Sequence, residues 1–130
     1  MTPTEVYAAI LTRLYTTWAT ATPIAGLNRS YDAPGGPWIE PVIVMGDTYP
    51  GELGVDGVGL RTGVFQVNIN VLPDGGYRTA MEYAGRLETA FRRAEADDVI
   101  FDDPSTSVVG IVDGYYRVMV RINFHAWIGE

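Results

Sequence analysis

The 130-residue chain has no cysteine, no lysine and one histidine, His125. Without cysteine there can be no disulfide, thiol nucleophile or thiolate-bound zinc. All nine basic residues are arginines, which excludes a Schiff-base lysine and a P-loop lysine. A single histidine excludes any site that needs two. No apolar run approaches the about 20 residues that cross a bilayer, so no membrane-spanning helix and no membrane partner is expected. Met1-Thr2-Pro3-Thr4-Glu5 has no basic region followed by an apolar stretch, so the expectation is a soluble protein made in the cytoplasm.

What is present fits one globular domain over residues 1–130. Apolar residues are 47% and aromatics 12%, enough for a core and too many for a disordered chain. The net charge of −7 makes the chain a poor candidate for binding a phosphate backbone.

Thr2-Pro3-Thr4-Glu5 reads as a capping box with proline at the first helical position. Val6, Ala9, Ile10, Leu14 and Trp18 then recur near helical spacing, predicting a helix to about Thr20 that Pro23 ends. Turn formers fill 21–37. Trp38 to Met45 reads as a short strand, with Pro41 placing it at an edge. Residues 46–59 carry five glycines with Asp47, Glu52 and Asp56, and read as a long loop.

Leu60 to Leu72 is the clearest strand, with Phe65, Val67, Ile69 and Val71 alternating with Val64, Gln66, Asn68 and Asn70. After Pro73-Asp74-Gly75-Gly76 a second helix places Tyr77, Ala80, Met81, Ala84, Leu87, Ala90 (or Phe91) and Ala94 on one face, read as core. Glu82–Arg86 and Glu88–Arg92 are spaced for ion pairs along it. A short strand is predicted at Val99–Phe101. Ser107–Val112 and Tyr115–Trp127 flank Asp113-Gly114, the signature of a two-residue hairpin turn. Along the last strand Tyr116, Val118, Val120, Ile122 and Phe124 share one face, and Arg117, Met119, Arg121, Asn123 and His125 the other. The order predicts an α+β fold: a mostly antiparallel sheet of four to five strands with two helices packed on one face.

Catalytic chemistry finds no convergent set. His125 stands alone near a strand end, and no serine sits in a nucleophile elbow. Asp97-Asp98 and Asp102-Asp103 suit a hard cation in residue type but not in spacing, and no metal or cofactor is expected. Asp74 before the second helix reads as a helix cap. What remains is contact surface. Candidate contact residues are Asp47, Tyr49, Glu52 and Asp56 in the acidic loop, Arg61 at a strand start, and Arg117, Met119 and Arg121 on one face of the last strand. Arginine, methionine and aromatic side chains are enriched at interfaces, and edge strands invite pairing between subunits.

The ordered set of segments resembles the tail-terminator (tail-completion) proteins of long-tailed bacteriophages and prophages. The resemblance rests on a first helix ending in Trp18, Thr22-Pro23-Ile24-Ala25 with Asn28, and the Pro37-Trp38 strand entry. Gly63-Val64-Phe65-Gln66-Val67, Val71-Leu72-Pro73-Asp74-Gly75-Gly76, the helix from Ala80 to Phe91 and the C-terminal hairpin complete it. It implies a virion structural protein, not an enzyme. Such a protein forms a homo-oligomeric ring, typically a hexamer, on the head-proximal end of the tail tube. The ring ends tube polymerisation, meets the head–tail connector protein, and lets DNA pass through its lumen without specific binding. The alternatives are another neck or tail component, such as a connector or tube subunit, and a small ligand- or metal-binding module using the paired aspartates.

Overall fold

A computed structural model describes residues 2–18, 22–25, 36–50, 59–73 and 76–128. Helix α1 (Pro3–Trp18) starts at the predicted box. The Glu5 N–H donates to Thr2 Oγ1 at 3.2 Å, and the Thr2 N–H donates to Glu5 Oε1 at 2.7 Å. The Thr2 backbone bond first, and the Thr2 hydroxyl second, hold the Glu5 carboxyl below its usual pKa. The predicted stripe Val6, Ala9, Ile10, Leu14 and Trp18 is buried. The helix is described as far as Trp18, and the predicted end near Thr20 lies outside the described residues, which exclude 19–21. Trp18 is held by its indole N–H, which donates to Thr22 Oγ1 at 2.9 Å.

The strands are β1 (Trp38–Pro50), β2 (Gly59–Val71), β3 (Glu95–Ala96), β4 (Val99–Phe101), β5 (Ser105–Val112) and β6 (Tyr115–Ile128). They form one sheet in the order β1-β2-β6-β4-β3, with β5 also on β6, beside β4. Every named pair is antiparallel. Among the described residues the antiparallel sheet has six strands, one more than the four to five expected. The extra one, β3, is two residues long and leaves no alternation in the sequence.

Register explains the core. Ile43, Phe65 and Ile122 lie in one cross-strand row, and Ile39, Ile69 and Val118 in another. All six are buried on the face that α1 and α2 (Gly76–Phe91) cover. Phe91 of α2 sits between Phe65 and Phe101, at ring-centre distances of 5.2 and 5.0 Å. Ala80, Ala84 and Leu87 are buried as predicted, but Tyr77 and Met81 are 61% and 38% exposed. Tyr77 and Met81 therefore flank the buried line of α2 rather than lying in it.

Two local readings change. Within the predicted loop 46–59, residues 46–50 belong to β1 and Gly59 opens β2, while 51–58 lie outside the described residues. A register shift between Met45 and Thr48 breaks the alternation there, which is why the strand is invisible in the pattern. Arg86 does not take up its helical pairing with Glu82. It donates across to the last carbonyls of α1, Trp18 O at 3.2 Å and Thr17 O at 3.4 Å. The Glu88–Arg92 pair forms, at 3.2 Å. Asp113 and Gly114 have φ of 50° and 82°, the left-handed pair that a type I′ turn requires.

Candidate interaction surface

Both described helices lie on one side of the sheet, and no described helix lies on the other face. Alternation puts Glu40, Val42 and Val44 of β1 there, with Gln66, Asn68 and Asn70 of β2. Arg117, Met119 and Arg121 of β6 share that face, opposite Asn70, Asn68 and Gln66. Three of the predicted contact residues thus stand in one row.

A polar ladder ties this face together. Arg117 Nε donates to Asn70 Oδ1 at 2.8 Å, and Asn70 Nδ2 donates to the Asn68 carbonyl at 3.5 Å. Gln66 Nε2 donates to Asn68 Oδ1 at 3.0 Å, and Asn68 Nδ2 to Glu40 Oε1 at 3.3 Å. Asn70 is fully buried although no described helix lies on that face. Trp38 and Tyr115 meet edge to face at 5.9 Å on the same end of the sheet. Burial without lost hydrogen bonds costs little, so the ladder fixes the Arg117 side chain rather than straining it. The alternating Gln66, Asn68 and Asn70 of β2 were the signal for this network, readable as polarity but not as partnership.

The remaining predicted residues are placed elsewhere. Arg61 pairs with Thr48 and Ala126 and lies on the helix side of the sheet, not with Arg117 and Arg121. A two-residue period from Phe65 to Arg61 puts them on the same face. Asp47 and Tyr49 belong to β1, Tyr49 opposite Leu60. Glu52 and Asp56 lie outside the described residues.

The sheet margins expose apolar side chains. Val108, Val109 and Ile111 of β5 are 56%, 48% and 63% exposed, and Val44 of β1 is 56% exposed. Strand β5 contains no charge and no proline. Edge strands are usually guarded by one or the other, so this is an unguarded edge.

Among the described residues no group of three or more His, Asp or Glu side chains is placed to hold a metal ion. His125 is half-buried beside Thr62 in the β2–β6 register. No described helix is long and apolar enough to cross a membrane. Among the described residues the geometry offers surfaces for contact.

Comparison with known proteins gives one family. The family model described as phage tail terminator protein matches residues 5–124. A search of curated proteins finds no match. One solved structure aligns over 100% of this chain and 99% of its own, with a TM-score of 0.75 and 21% identity, a likeness of fold.

Proposed function

The chain belongs to the phage tail terminator family, a class of tail structural proteins, and on that premise we propose that it caps the tail tube. In this reading the protein assembles in the host cytoplasm as a homo-oligomeric ring, a hexamer, at the head-proximal end of the tube. The ring ends polymerisation of the tube protein and presents its other side to the head–tail connector protein. The observation that carries the reading is the family match, which runs from the first turn of α1 to Phe124 of β6.

The physical chemistry agrees with the role. A ring needs a heterologous contact that closes on itself, and two unlike sheet margins can supply one. Six chains of net charge −7 make a strongly acidic ring. Negative charge facing the lumen repels DNA phosphates and lets the genome pass without being held. The acidic segment 46–59, with Asp47, Glu52 and Asp56, is the proposed contact with the tube or lumen.

Native mass spectrometry across protein concentrations, with and without purified tail tubes, tests this. A closed oligomer near six subunits, or incorporation at one tube end, is the expected result. Open-ended growth would instead mark a tube subunit. A monomer that ignores tubes at every concentration would overturn the assembly reading.

A further inference from the structure

Resting on the ring reading above, we infer that the outer edge of β5 in one copy pairs, antiparallel, with the outer edge of β1 from Val44 to Pro50 in the next. The sheet becomes continuous across the subunit boundary.

The backbone shows which groups each edge presents. Ile39 donates its N–H to Pro23 O and accepts from the Ala25 N–H, so its backbone faces away from β2. Alternation then turns Pro41, Ile43 and Met45 outward as well. Carried across the ladder, the same alternation makes Asn123 face away from β2. Its carbonyl does so, accepting the Asp102 N–H at 2.9 Å. On β5 it leaves the backbone groups of Thr106, Val108 and, past the bulge at Val108/Gly110, Ile111 pointing out from the sheet.

The two edges differ in protection. The first half of β1 is occupied: Pro23–Ala25 covers Ile39, Pro41 has no N–H, and the Tyr7 hydroxyl donates to Ile43 O at 3.1 Å. Among the described residues no backbone hydrogen bond reaches the outer edge of β5, or of β1 beyond Ile43. The part of β1 past Ile43, Val44–Pro50, is seven residues long, and β5 is eight.

Direction and pleat match too. The path β1-β2-β6-β5 is antiparallel throughout and has four strands. An even count makes the two outer strands run in opposite directions. A rotation about an axis along the strands preserves those directions, so β5 meets the next β1 antiparallel. Outward-facing residues on both edges, Met45 and Val108, carry their side chains on the helix side. Pairing therefore keeps the helices of all copies on one side. Charge agrees in sign: Arg117 and Arg121 stand beside β5 on β6, while 44–50 contains Asp47 and no base.

The absence of native cysteine makes the contact directly testable. Val44 and β5 lie on opposite sides of β2 and β6, about 14 Å apart at three strand spacings, too far for a disulfide within one copy. Val44→Cys is combined with Ser107→Cys or, for a shifted register, with Val109→Cys. Oxidation of at least one double variant should give a ladder of covalent oligomers, and the single variants none. In parallel, Val108→Pro removes an outward N–H without touching the β5–β6 ladder. It should melt near the wild-type temperature by circular dichroism yet fail to form the ring. If wild type assembles but neither double variant cross-links, or Val108→Pro assembles normally, the edge pairing is wrong and the ring stands. Dimers from Ser107→Cys alone would mean that β5 pairs with itself, which overturns the inference. A wild type that stays monomeric with tubes present overturns both readings.

Discussion

Arg13 of α1 and Arg86 of α2 each cap the carbonyl end of the other's helix. Arg13 donates through Nη2 and Nε to Ala90 O at 2.6 and 3.0 Å, and Arg86 through Nη2 to Trp18 O at 3.2 Å. Each guanidinium also lies over an aromatic ring, Phe91 for Arg13 at 5.7 Å and Trp18 for Arg86 at 5.3 Å. A cation at a helix C-terminus satisfies orphan carbonyls and opposes the negative end of the dipole.

The half-buried Arg13 should matter more than the exposed Arg86. Arg13→Ala is expected to cost about 1–2 kcal/mol and Arg86→Ala about 0.5–1 kcal/mol in urea unfolding. Arg13→Lys should recover little, because an ammonium cannot present the forked pair of donors or stack flat on Phe91. Full recovery by lysine would reduce the contact to simple charge.

Gly63 and Gly85 should respond to alanine with opposite signs. A Cβ at Gly63 would stand 2.6 Å from Val44 O and press on the Phe124 ring. Neither neighbour is free to retreat, since Phe124 is buried and Val44 is in the ladder. Gly63→Ala is expected to destabilise by about 1–3 kcal/mol. Gly85, exposed in the middle of α2, has nothing within 4 Å of its added Cβ. Gly85→Ala should stabilise by about 0.5–1 kcal/mol, the gain in helix propensity. Thermal melts of both variants decide it.

Much of the fold was legible because its elements announce themselves locally. The Thr2–Glu5 box, the β2 alternation and Asp113-Gly114 each encode a local hydrogen-bonding geometry that the fold then uses. The rest is encoded between segments. The bulge after Met45 erased the period of the β1 arm, and two residues of β3 could never show one. Arg86 looked like a partner for Glu82 because sequence spacing reveals helix neighbours but not the helix lying across it. Arg117, Met119 and Arg121 were legible as one face. That Arg117 is fixed by buried Asn70 depends on register, which no single strand contains.

Asn70 and Arg117 should be coupled. Asn70→Ala removes the acceptor of a charged donor and is expected to cost about 1–3 kcal/mol. Arg117→Ala should cost less, because its guanidinium is only partly buried while Asn70 is fully so. The double variant should fall short of the sum by about 1 kcal/mol, the mark of a direct interaction. Strict additivity in the double-mutant cycle would break the ladder into independent side chains.

Glu5 gives the stability a defined dependence on pH. Its folded pKa is lowered by the Thr2 backbone and hydroxyl bonds, so the ionised carboxylate is favoured in the native state. The contribution is therefore fully present above the ordinary glutamate pKa and is lost as pH falls through the lowered folded value. Wild type should melt above Glu5→Ala at neutral pH, and the gap should close on the acid side of the carboxylate range. A gap that is constant with pH would assign the effect to helix propensity instead.

The acidic segment can be separated from the fold that carries it. Thr48, Tyr49 and Pro50 pair with Arg61, Leu60 and Gly59, so a deletion that reaches into 48–50 removes ladder as well as charge. The informative cut replaces 51–58 with Asn-Gly, a two-residue turn that closes a hairpin at Pro50 and Gly59. Glu52 and Asp56 leave with it, while the core rows and the α1–α2 capping are untouched. The shortened protein is expected to melt close to wild type. If 46–59 is the contact with the tube or lumen, the variant should fail to cap purified tubes. A milder variant, Glu52→Gln with Asp56→Asn, keeps the length and removes only charge. Capping retained by the charge variant and lost with the short turn would assign the contact to shape. Capping retained by both would remove the segment from the tube interface.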